Sequence, residues 1–174
     1  MRQTILKTMR RKLLYVCLMS GLFGTISCTF KRMPERVLVS VEYTRTGTMA
    51  GYEYEGRAHQ DSSGAFVLRA MREPYGPLFE KKLDAAAMQK FRQIIEDEKM
   101  YKYKDRYEPM MRVYDGTMWN FTARFSDGSV IRSHGSNASP KGDGLQRICD
   151  YMQELVGDSV AKPVESENAE QSEE

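Results

Sequence analysis

Few residues in this chain have the type and spacing to do chemistry. There are two histidines, His59 and His134, and neither stands at metal-ligand spacing from another histidine, a cysteine or a carboxylate. Ser133-His134 lies beside Ser136 and Asn137, which raises the question of a nucleophilic serine. No glycine elbow frames that serine and no motif positions a carboxylate, so no catalytic residue, metal site or cofactor is assigned. What the segment His134–Ser139 does offer is polar groups just before a predicted helix, where backbone donors can meet an anion. His134, Ser136 and Asn137 are therefore candidate binding residues. Asp115 and Asp127 both precede glycine and read as turn residues. Tyr101, Tyr103 and Tyr107 alternate with Lys102, Lys104 and Arg106. Such a run stacks on sugars or bases and pairs with anions. Its other reading is packing, with tyrosines covering a sheet edge while the cations face water.

These residues must be held by the elements around them. Trp119, Phe121, Ala123 and Phe125 alternate with Met118, Asn120, Thr122 and Arg124, the pattern of a half-buried strand. Ser126-Asp127-Gly128 then predicts a three-residue turn that pairs Ala123 with Ile131 and Phe121 with Ser133. Upstream, Val37, Val39, Val41 and Tyr43 are expected on one face of a strand, with Ser40, Glu42 and Thr44 on the other. A second alternating strand covers Tyr52–His59, with Gly56 marking a bulge or bend. Phe66, Leu68 and Ala70 share a face of a third strand, and Leu78–Leu83 returns as a fourth. Asp84 is a good N-cap for a helix in which Met88, Phe91 and Ile95 form one stripe. Ser139 before Pro140, or else Asp143, opens a second helix with Leu145, Ile148, Met152 and Leu155 on its apolar side. Cys149 falls among these and reads as a small buried hydrophobe. The expected fold class is α+β: a two-layer sandwich with both helices on one face of an antiparallel sheet, in the order ββ(β)α–ββα.

The amino terminus supplies an address. Met1–Lys12 carries five cations and no acid, and Leu13–Ile26 is an apolar run too short to span a bilayer comfortably. It ends in Thr25-Ile26-Ser27-Cys28, which resembles the lipobox of bacterial lipoproteins. Ser27 and Cys28 match its most restrictive positions, while Thr25 stands where an aliphatic residue is usual. The resemblance implies cleavage before Cys28 and lipid on that cysteine. The expected organisation is a signal peptide over 1–27, a tether over 28–36, one domain over 37–157 and an acidic, solvated tail over 158–174. The whole chain has net charge +2, but five cations belong to the signal and the tail is net −5, so the domain is about neutral. Its basic pI is thus no argument for nucleic acid. With Cys17 in the signal and Cys28 lipidated, Cys149 has no disulfide partner and stability must come from a hydrophobic core.

The lipobox-like start, the Asp115-Gly-x-x-Trp119 strand, the Asp127-Gly128 turn and Gly135-Ser-Asn-x-x-Pro140 together resemble small lipoproteins of Gram-negative bacteria with a domain of unknown function. The resemblance spans most of Val37–Val156 and brings no substrate or catalytic residue. It implies a lipid-anchored envelope protein on the outer membrane, facing the periplasm. The expected role is a non-enzymatic binding module, its partner an envelope protein or a glycan. The alternative is a small periplasmic hydrolase or ligand-binding protein using His134–Ser139.

Overall fold

The computed structural model describes residues 31–47, 52–111, 116–157 and 162–164. The signal segment, Cys28, Asp115 and most of the acidic tail lie outside the described residues. The chain divides after Lys31, and the folded unit begins at Arg32. In order it forms β1 (Leu38–Thr46), β2 (Tyr52–Gln60), β3 (Phe66–Met71), β4 (Leu78–Leu83), α1 (Ala85–Asp97), a 3-10 turn (Met100–Lys102), β5 (Arg106–Tyr107), β6 (Met118–Phe125), β7 (Val130–Ser136), α2 (Gly144–Gly157) and β8 (Lys162–Pro163). One open sheet runs β5-β7-β6-β1-β2-β3-β4-β8, antiparallel except at β5–β7. The fold is α+β, with both helices packed on the sheet and sharing one core with it.

The β6–β7 hairpin has the expected register, Ala123 opposite Ile131 and Phe121 opposite Ser133. Gly128 takes φ +82°, and Asp127 Oδ1 accepts from the Ser129 amide at 2.9 Å and its hydroxyl at 2.6 Å. Those bonds to the charged form hold the Asp127 carboxyl below its ordinary range. Asp84 caps α1 by accepting from the Ala87 amide at 2.8 Å, and Met88, Phe91, Ile94 and Ile95 are buried as the stripe predicted. Of the two rival starts for α2, the structure takes Asp143, whose carbonyl accepts the first helical bond from Arg147 at 2.8 Å. Gly142 and Gly144 flank that residue, so the helix does not extend back to Pro140.

Neither helix carries a basic residue in its last turn, and the sheet and the helix pair supply the cations instead. Arg72 Nε donates to the Val156 carbonyl at 2.6 Å and Lys81 Nζ to that of Leu155 at 2.9 Å, at the negative end of α2. Glu98, unfavourably placed at the end of α1, is paired with Arg147 from α2.

Three expectations are corrected. Val39 is an inserted residue opposite β6, so the alternation reverses there: Leu38 is buried and Val37 faces solvent. Gly56 is no bulge, because it pairs regularly with Tyr43 on one side and Ala70 on the other. It is glycine because a Cβ would lie 2.4 Å from Met152 Sδ and 2.7 Å from the Tyr54 hydroxyl. Lys162–Pro163, in the stretch expected to be an unstructured tail, adds two residues to the edge of β4.

Cys149 is free and buried against Tyr54, and burial pushes its thiol up to about 11. The thiolate is the nucleophile, so native Cys149 should stay unlabelled by iodoacetamide at mildly alkaline pH and react fully after unfolding. Labelling of the folded protein at the rate of a free thiol would contradict this placement.

Candidate functional site

A cavity of about 500 Å³ opens at the end of the sheet where β1 finishes and β6 begins. β1 begins at its opposite end, so the cavity lies a strand's length from Leu38. Tyr43, Arg45, Glu53, Thr117 and Trp119 form its sheet wall, and Asn137–Pro140, Asp143, Leu145 and Gln146 form its other wall.

Arg45 continues the inward alternation of Val41 and Tyr43, which puts a cation on the buried face. Glu53 should point away, but it is the inserted residue of a bulge: Arg45 pairs with Tyr54 and Thr46 with Tyr52. The bulge brings its carboxylate to Arg45, with Nη2 donating to Oε1 at 3.0 Å and Nε 3.0 Å from Oε2. The Nε contact is ionic, without hydrogen-bond alignment. Both side chains keep some access to water, at 33% and 26%. Burial pushes the Tyr43 hydroxyl beside them up to about 12, against the opposing effect of Arg45.

The loop wall is held by a lock between hairpin and helix. Asn137 adopts φ +53°, and its Oδ1 accepts from the Thr117 amide at 2.9 Å. Trp119 Nε1 donates to the Ala138 carbonyl at 2.8 Å. Gly135 makes room for this, since a Cβ there would lie 2.4 Å from that carbonyl oxygen and 2.5 Å from the indole nitrogen.

The structure divides the segment His134–Ser139 between two places. His134 is exposed on the open face of the sheet, opposite Asn120 and level with Arg106 of β5, and Ser136 follows on the same face opposite Met118. Ser133 points to the other side and donates to the Lys104 carbonyl at 2.7 Å, so this serine and histidine face apart. Asn137 and Ser139 line the cavity. The tyrosines do not gather into one surface either. Tyr103 is buried at 7%, edge-on to Tyr107 at 6.3 Å, and Tyr107 packs against Trp119 at 5.8 Å. Tyr101 is half-buried with Lys102 Nζ 5.7 Å from its ring centre. The other histidine, His59, sits on the open face of β2, its pKa lowered first by burial and then by Arg57 and Arg69. Among the described residues, no group of three or more His, Cys, Asp or Glu is placed to hold a metal ion, and no helix is long and apolar enough to cross a membrane.

Arg45, Glu53 and Gln146 were not singled out from sequence. The signal for Arg45 was present, because a charged residue two places after Tyr43 falls on the core side of β1. Exposed apolar side chains also collect near this end: Tyr52 and Met118 flank Thr46, and Tyr75 sits beside Gly47. Comparison with protein-family models and with curated proteins finds no match to this chain.

Proposed function

We propose that this protein is a non-enzymatic binding module, anchored to the bacterial envelope by lipid on Cys28 and facing the periplasm from the outer membrane, with its ligand in the Arg45–Asp143 cavity. The observation that supports it best is the cavity itself. It combines an ion pair, several neutral polar groups and a preformed wall locked by Trp119 and Asn137, and its size suits a small molecule. Its place at the end of β1 away from Leu38, where the strand begins, favours access on an anchored protein. The exposed Tyr52, Tyr75 and Met118 support a second reading, a protein partner docking at the same end.

Purification of the full chain from its native envelope tests the reading. The wild type should fractionate with membranes and carry a bound small molecule; Cys28→Ala should move it to the soluble fraction. Ser139→Phe, which fills the cavity from its exposed rim, should lose the bound species while melting normally. A protein that carries the same species after Ser139→Phe, or none at all, would refute the cavity as the site. A stoichiometric protein lost on Met118→Ser would instead establish the docking reading.

A further inference from the structure

Resting on the reading of this cavity as a binding site, we propose that it takes a zwitterion whose carboxylate and ammonium sit on one carbon, the head group of a free α-amino acid.

The charges on the two walls lead there. Arg45 and Glu53 stand on the sheet wall and Asp143 on the helix wall, so the cavity presents one cation and two carboxylates. A simple anion would face both carboxylates, and a simple cation would lie against Arg45; the partial burial of Arg45 and Glu53 makes either mismatch costlier there than it would be in water, while Asp143 stands at the exposed rim. A ligand bearing both signs meets each wall with its opposite. Arg45 has the donors for this. A guanidinium carries five N–H groups; Glu53 accepts one from Nη2, the Nε–H lies buried against Glu53 without hydrogen-bond alignment, and the Tyr43 hydroxyl takes at most one more, so this cavity-lining residue keeps donors in excess of its protein partners. Planar donors of this kind select carboxylates. Asp143 then receives the ammonium group, with Gln146 beside it, whose Nε2 donates to Asp150 Oδ1 at 2.6 Å and whose amide oxygen is a neutral acceptor.

A neutral saccharide fits less well. Sugar sites present an open aromatic face, yet Trp119 and Tyr43 are each only 4% exposed, their faces taken up by the core. At about 500 Å³ the cavity exceeds the head group alone and leaves room for a side chain.

The test uses the detergent-solubilised full chain, with Trp119, its single tryptophan, as the fluorescence reporter in the cavity wall. Free amino acids at millimolar concentration are titrated individually, alongside methyl glucoside and the species extracted from the native protein. Each binder is retested as its amide, which lacks the carboxylate, and as its N-acetyl form, which lacks the ammonium. Each change should weaken binding by about tenfold or more, the equivalent of losing one charge-assisted contact. Arg45→Gln should remove the discrimination against the amide, and Asp143→Asn that against the N-acetyl form. A derivative that binds as well as its parent overturns the zwitterion, and so does binding of methyl glucoside but no amino acid. If only the native extract moves the fluorescence, the zwitterion falls while the binding site stands. If neither the panel nor the extract does, both fall.

Discussion

Trp119→Ala should destabilise the protein by about 3–5 kcal/mol, the range for deleting a large buried aromatic. The side chain is 4% exposed and packs on Tyr107 at 5.8 Å. Its indole N–H holds the Ala138 carbonyl at 2.8 Å, so the substitution leaves a void and also releases the loop that forms the far wall of the cavity. The measurement is urea unfolding followed by far-ultraviolet circular dichroism, because the variant has lost the only tryptophan. Trp119→Phe separates the two contributions. It keeps much of the apolar area but removes the donor and part of the ring volume, which predicts a smaller loss of about 1–3 kcal/mol, chiefly from the unpaired carbonyl. Ligand binding should fall in both variants, since both free Ala138. If Trp119→Ala cost less than about 1 kcal/mol, the size of an ordinary substitution, the indole could not be the lock between hairpin and helix.

Phe91→Ala should cost a similar amount, about 3–5 kcal/mol. Phe91 is fully buried on α1, and its ring meets Tyr151 of α2 edge-on at 4.8 Å. It therefore joins the two helices as well as filling the layer beneath them. Domains of this size have about 5–15 kcal/mol of stability, so the variant would lose a large share of it. The expected signature is a lower urea midpoint with an unchanged slope, because the folded state stays compact. A double-mutant cycle with Tyr151→Leu should show a coupling of about 0.5–1.5 kcal/mol from the ring pair. No coupling would mean that the two rings merely share a core. Unlike Trp119, Phe91 lies away from the cavity, so at temperatures where the variant is folded ligand affinity should hold.

The contrast between these residues mirrors what could be read from the chain. The β6–β7 register was legible because one turn specifies it: a three-residue loop with Gly128 at positive φ, unlike a two-residue one, puts Ile131 of β7 on the face that Trp119, Phe121 and Phe125 share. The cap of α1 was legible for the same reason, since Asp84 and the Ala87 amide are three residues apart. The face of β1 was legible only from Val41 onward. A period of two cannot register an inserted residue, and Val39 reversed the pattern before it.

The candidate site escaped for related reasons. A glycine in a strand has the same local signature whether it marks a bulge or a close approach; at Gly56 the answer lies in Met152, on a helix much later in the chain. Glu53 looked like a solvent residue by alternation, and only the bulge between β1 and β2 brings it to Arg45. His134 and Ser133 are neighbours in sequence and therefore opposites in a strand, so adjacency argued for a site that pleating takes apart.

By itself the sequence determined the α+β class, the hairpin register, the α1 cap and the inward stripes of both helices, all set by local periodicity and short-range hydrogen bonding. The tertiary structure alone decided that Arg45, Glu53 and Asp143 share one cavity while the tyrosines and His134 do not. That decision rests on one inserted residue, Glu53, and on close approaches between distant segments, and neither has a local signature to read.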